Sequence, residues 1–90
     1  MKMKGNLMQL TVEISMYPFN EDYKPLIKGF IAQLNKCEGL IIKTSETSTM
    51  VHGEYDRLMD SVKEMIAWSY QTHGRAVFVT KFIPGHDLND

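Results

Sequence analysis

From Met8 to Tyr17 apolar and polar residues alternate without a break. Met8, Leu10, Val12, Ile14 and Met16 fall on one side, and Gln9, Thr11, Glu13, Ser15 and Tyr17 on the other. A period of two is the mark of a strand with one apolar face, and Pro18 ends it. The period then lengthens. Leu26, Ile27, Phe30, Ile31 and Leu34 recur at helical spacing, with Asn20 or Asp22 as the N-cap. Pro25 is tolerated because N–H groups in a first turn have no helical acceptor. Gly39 offers a natural stop. Short apolar runs predict a second strand from Leu40 to about Thr44 and a third from about Ser48 to Gly53. Asp56 is placed to cap a second helix with a buried stripe of Leu58, Val62, Met65, Ile66 and Ser69, ending near His73-Gly74. The last strand spans Arg75 to Ile83, stopped by Pro84-Gly85, and the polar tail "HDLND" reads as loosely held.

The order β-α-β-β-α-β, joined by right-handed crossovers, predicts an α+β ferredoxin-like sandwich. Its four-stranded antiparallel sheet carries both helices on one face. No internal repeat or linker interrupts the chain, so residues 1–90 are read as a single domain with a core at about 7–85. A chain of this length buries roughly 60–65% of its unfolded surface, so association would help its stability. The last strand supports that. Ala76, Phe78 and Phe82 alternate with Val77, Val79 and Ile83, making both of its faces apolar. Helices cover one side of the sheet, and the other needs a cover. A homo-oligomer is expected, dimer or tetramer, meeting through the open sheet face or the exposed outer strand.

Charge narrows the partners. The formal net charge is −1 and the acids and bases are interspersed, so no basic field exists to attract nucleic acid or anionic lipid. The sheet also lacks the aromatic-rich pattern of RNA-binding domains of this fold. The lone Cys37 has no partner for an internal disulfide and suits a reducing compartment. "MKMKGNL" contains no apolar run long enough for a signal peptide or membrane span. A soluble, cytoplasmic protein is expected.

The chemical motifs are sparse. His52-Gly53-Glu54 has the H-x-E form of zinc deaminases, but the companion P-C-x-x-C is missing. Met1 and Met3 suggest soft-metal ligands less than core filler, Cys37 reads as a small structural residue, and His73 as a cation at a helix C-terminus. There is no phosphate loop or nucleophile elbow. An acid-base pair drawn from Glu13, Glu54 or His52 would lack a nucleophile or metal, so a non-enzymatic protein with no metal and no catalytic residues is expected. The polar face of the first strand is the more informative feature. Glu13, Ser15 and Tyr17 project from what should be a central strand, and Ser48 and Thr49 lie on the strand beside it. Period alone does not settle whether Ser48 or Thr49 faces inward. These residues form either a solvated or subunit-facing surface, or a pocket suited to a flat amine-bearing or cationic ring.

Three segments, "VEISMYP", "STMVHGEYD" and "GRAVFVTKF", together resemble the YkoF-like thiamine-binding family, over about Leu10 to Gly85. The resemblance implies a ferredoxin-like, non-enzymatic binder of thiamine or its hydroxymethylpyrimidine moiety in uptake or salvage, assembled as dimers or dimers of dimers. It also implies ligand-binding positions at Glu13, Ser15, Tyr17, Ser48, Thr49, Gly53, Glu54, Phe78 and Lys81. Gly53 would act through its missing side chain. Lys81 has an alternative role as partner to Glu13 or Glu54, and His52 and Met50 fall at variable positions of the pattern. Hydroxyls and a carboxylate match an aminopyrimidine, an aromatic face matches a thiazolium, and unphosphorylated thiamine is expected over its diphosphate. The competing expectation is a structural or regulatory homo-oligomer with no small ligand.

Overall fold

The computed structural model describes residues 8–86. Strand β1 (Gln9–Pro18) is followed by helix α1 (Tyr23–Leu34), strands β2 (Ile41–Thr44) and β3 (Thr49–Glu54), helix α2 (Tyr55–His73) and strand β4 (Ala76–Pro84). The strands form one antiparallel sheet in the order β2-β3-β1-β4. This is the α+β ferredoxin-like arrangement. The tail beyond His86 and the first seven residues, with Met1 and Met3, lie outside the described residues.

The alternation in β1 does what its period dictates. Leu10, Val12, Ile14 and Met16 are buried in one core with Val51 of β3, Phe30 and Leu34 of α1, and Leu58, Val62 and Met65 of α2. Both helices therefore press on the same side of the sheet. Each fully buried Leu or Val in such a core stabilises the fold by about 1.5–3 kcal/mol relative to exposure.

The helix ends depart from the simplest expectation. Asp22 occupies the α1 N-cap but makes no side-chain cap bond. Asn20 Oδ1 accepts from the Asp22 amide at 2.8 Å instead. Helix α1 stops at Leu34, before Gly39, and its C-cap Asn35 donates to the Ile31 carbonyl from both its backbone amide at 3.0 Å and its side-chain amide at 2.9 Å. Gly39 serves the connection to β2: it has φ 79°, and a Cβ there would meet Arg57 Cδ at 2.7 Å. At α2 the N-cap is Glu54, whose carboxylate accepts from the Asp56 amide at 2.6 Å. Asp56, expected as the cap, sits in the first turn, where its charge still favours the positive end of the helix.

Ile66 is the other correction. Its spacing puts it in the buried stripe of α2, yet it is 45% exposed. It borders Ala76, Val77 and Phe78 of β4, the last strand of the sheet, and no element beyond β4 covers it among the described residues. Exposure on β4 follows the same logic. Val77, Val79 and Ile83 are exposed on the open side, and Phe82 is exposed on the helix side. Ser69, also placed in the stripe, is fully buried.

Candidate functional site

The sheet face opposite the helices is built by register. Thr11, Glu13, Ser15 and Tyr17 of β1 lie beside Ile83, Lys81, Val79 and Val77 of β4. On the other flank, Thr11 faces His52 and Glu13 faces Met50 of β3. Glu13 is the hub. One carboxylate oxygen lies 3.6 Å from Lys81 Nζ, and the other accepts the Ser48 hydroxyl at 3.3 Å. The Lys81 side chain is 74% exposed, so solvent screens the ion pair and it contributes little to stability. The partner of Lys81 is thus Glu13 and not Glu54, which is committed to capping α2.

Ser48 and Thr49 point in opposite directions. Ser48 reaches Glu13, whereas Thr49 pairs in register with the core residue Ile14 and is only 5% exposed. Both border a hollow of about 70 Å³ between β1, α1 and the β2–β3 connection. Its apolar wall is Ile14, Met16, Ile27, Phe30 and Ile31, and its polar wall is Ser15 with Ser45 to Thr49. Ser15 closes one side by donating to the Thr47 carbonyl at 3.1 Å. Glu46 is the charged residue in the lining, which holds no Lys or Arg. The hollow therefore suits a neutral or cationic group with amine donors, and offers nothing to neutralise a phosphate.

The expected ligand positions are thus divided. Ser15, Ser48 and Thr49 come together at the hollow, with Glu13 joined through Ser48. Tyr17 and Lys81 lie on the open face outside it. Gly53 lies under Leu40, where a Cβ would come within 2.5 Å of Leu40 Cδ2 and 3.3 Å of the Gly39 carbonyl oxygen. Its missing side chain admits a neighbouring segment of this chain. Phe78 packs on Phe30 with ring centroids 5.3 Å apart, on the helix side of the sheet. From the sequence the small hydroxyls of "TSETSTMVHGEYD" are expected to border a cavity, and Ser45, Thr47, Ser48 and Thr49 do line this hollow, with Glu46 of the same run beside them. Ile27, Phe30 and Ile31 were legible only as core.

Two other depressions carry different chemistry. A broad cleft of about 760 Å³ lies between the C-terminal end of α1 and α2. Glu38, Glu54, Asp56, Asp60 and Glu64 outnumber Lys36 and Arg57 there, and Trp68 forms part of its lining. Among the described residues no group of His, Cys, Asp and Glu is arranged to hold a metal ion. A groove of about 360 Å³ runs beside β4, where the Arg75 guanidinium sits 5.2 Å over the Phe19 ring. His52 belongs to neither. It is 6% exposed, and its Nδ1 is 2.8 Å from Thr11 Oγ1, so the H-x-E residues are engaged separately, His52 with Thr11 and Glu54 with the helix.

No family model matches the chain, and no curated protein matches it. Solved structures do. A protein from Thermotoga maritima, named provisionally for thiamine biosynthesis or salvage, is 26% identical with a TM-score of 0.69; the match covers 90% of this chain and 86% of that one. Protein SP2199 from Streptococcus pneumoniae superposes with a TM-score of 0.78 at 22% identity, covering 89% and 90% of the two chains. A domain of unknown function, DUF77, from Bacillus cereus gives 0.71 at 20% identity, covering 87% and 78%. The last two show likeness of fold alone. Among the described residues no helix is long and apolar enough to cross a membrane.

Proposed function

We propose that this chain is a non-enzymatic, cytoplasmic small-molecule-binding protein whose ligand is thiamine or its hydroxymethylpyrimidine moiety, acting in uptake or salvage. The observation that carries the reading is the gathering of Ser15, Ser48 and Thr49 with Glu46 at one hollow whose lining holds no cationic side chain, Ser48 also bonding the Glu13 carboxylate outside it. An aminopyrimidine has amine donors for a carboxylate and ring nitrogens for the hydroxyls, and a cationic thiazolium is favoured by Glu46 in the lining. The likeness to the Thermotoga maritima protein, and the resemblance to the YkoF-like family in the same strands, support the same ligand class.

The functional unit is a homo-oligomer, dimer or tetramer, joined through the open sheet face. Exposed Ile41, Tyr17, Val77, Val79 and Ile83 on that face support it, because exposed apolar surface of this extent usually marks an interface. The same observation favours a second reading, an assembly protein with no small ligand. Isothermal titration with thiamine and with hydroxymethylpyrimidine separates the two. A binder gives heat and a raised melting temperature. No heat and no melting shift at millimolar ligand would sink the ligand reading, since even weak binding stabilises the native state by mass action.

A further inference from the structure

We infer that the β2–β3 connection, Ser45 to Ser48, is a lid over the hydroxyl-lined hollow, latched by the same polar groups that a ligand would use. The inference rests on the small-molecule reading above and adds how that site opens. Size is the starting point. The hollow is about 70 Å³, room for about two waters at roughly 30 Å³ each. Sites for drug-sized ligands run to about 300–1,000 Å³. A pyrimidine-bearing guest enters only if a wall moves.

The walls are not equally fixed. Ile14, Met16 and Phe30 belong to the buried core, and displacing them would open the fold. The connection is different: Ser45, Glu46 and Thr47 are exposed, and no apolar side chain occurs from Ser45 to Ser48. Moving it withdraws no apolar side chain of its own from the core. Internally it is a closed unit, with the Ser45 amide donating to the Ser48 carbonyl at 2.8 Å and the Ser45 hydroxyl to the same carbonyl at 3.0 Å. Side-chain bonds tie this unit to β1. Ser15 donates to the Thr47 carbonyl at 3.1 Å, and Ser48 donates to Glu13 at 3.3 Å. Both lie near solvent, where a hydrogen bond exchanges readily with water.

The latch has the right chemistry to be replaced. Released, it presents a hydroxyl donor on Ser15 and a carbonyl acceptor on Thr47 to the hollow. An aminopyrimidine offers the complement, a ring nitrogen and an amine with protons to give. Binding therefore trades latch bonds for ligand bonds, and the lid recloses over an occupied site.

The test is backbone ¹⁵N relaxation on the ligand-free chain, from order parameters through microsecond–millisecond dispersion, at Glu46, Thr47 and Ser48. Ser15→Ala and Ser48→Ala each remove a latch bond near the surface. Either should raise the open population about three- to tenfold, the worth of one such bond, while the core amides of β1 and β3 keep their wild-type values. Thiamine added to the wild type should then quiet the same amides. Unchanged mobility of the connection in both variants overturns the lid, whether or not thiamine binds. A loosened connection in both variants that thiamine never quiets upholds the latch and overturns the ligand reading.

Discussion

Thr11 Oγ1 lies 2.8 Å from His52 Nδ1 and donates its own proton to the His86 carbonyl at 2.8 Å. A hydroxyl has one proton to give, so toward His52 it is the acceptor, and His52 carries hydrogen on Nδ1. A central-strand side chain thereby fixes a ring tautomer on β3 and holds the chain after β4 against the sheet.

The first prediction follows directly. Thr11→Val keeps the shape but strands a buried ring N–H and a carbonyl, and should cost about 1–3 kcal/mol. Thermal or urea unfolding measures the loss. ¹⁵N spectra of His52 in the wild type should show the Nδ1–H form, and the Nε2–H form would contradict the geometry.

Gly53→Ala should destabilise the fold by about 1–3 kcal/mol, because the new methyl presses on Leu40 and the Gly39 carbonyl. Its affinity for thiamine, measured well below the melting temperature, should stay within a factor of two or so. A stable variant with weakened binding would return Gly53 to the ligand site.

Glu13 and Lys81 form one ion pair, but their substitutions should diverge. Lys81→Ala removes a screened surface partner and should leave both stability and thiamine affinity near wild type, within about 1 kcal/mol. Glu13→Gln keeps the size and removes the charge. It should weaken thiamine binding by about tenfold, the scale of a hydrogen bond to a charged group. Calorimetry on the pair of variants checks the contrast, and equal effects would mean the carboxylate only serves Lys81.

Association should depend on the open sheet face. Val79→Glu places a charge at an exposed apolar position beside Ser15. Light scattering should show the wild type larger than one chain and the variant shifted to monomer, with the helix content by circular dichroism unchanged. A monomeric wild type would remove the interface from the functional reading.

The fold was legible because its signals are local. Ten residues of β1 alternate, the helices repeat at their own spacing, and the turns carry Pro and Gly. Errors fell where tertiary context decides. Ile66 fits the stripe of α2, but stripes say nothing about where the sheet ends, and β4 is its last strand. Glu54 outcompetes Asp56 for the cap because β3 delivers its carboxylate within 2.6 Å of the Asp56 amide, a relation no periodicity encodes. At the site, the hydroxyl run marked the polar wall of the hollow, while its apolar wall was indistinguishable from core. Thr49 and Ser48 could be assigned to opposite faces only once the pairing of β3 with β1 was fixed. Phe78 and Gly53 matched a pattern, yet their neighbours in space are Phe30 and Leu40.

The placement of β4 has a consequence for how the chain behaves when it is crowded with copies of itself. Nine residues long and last in the sheet, with Lys81 as its one charged side chain, it offers a backbone border that any extended segment can copy. A newly made chain is adhesive along that border until something occupies it. Overproduction at high concentration should then invite fibrous stacking along β4 that scarce, slowly made chains escape.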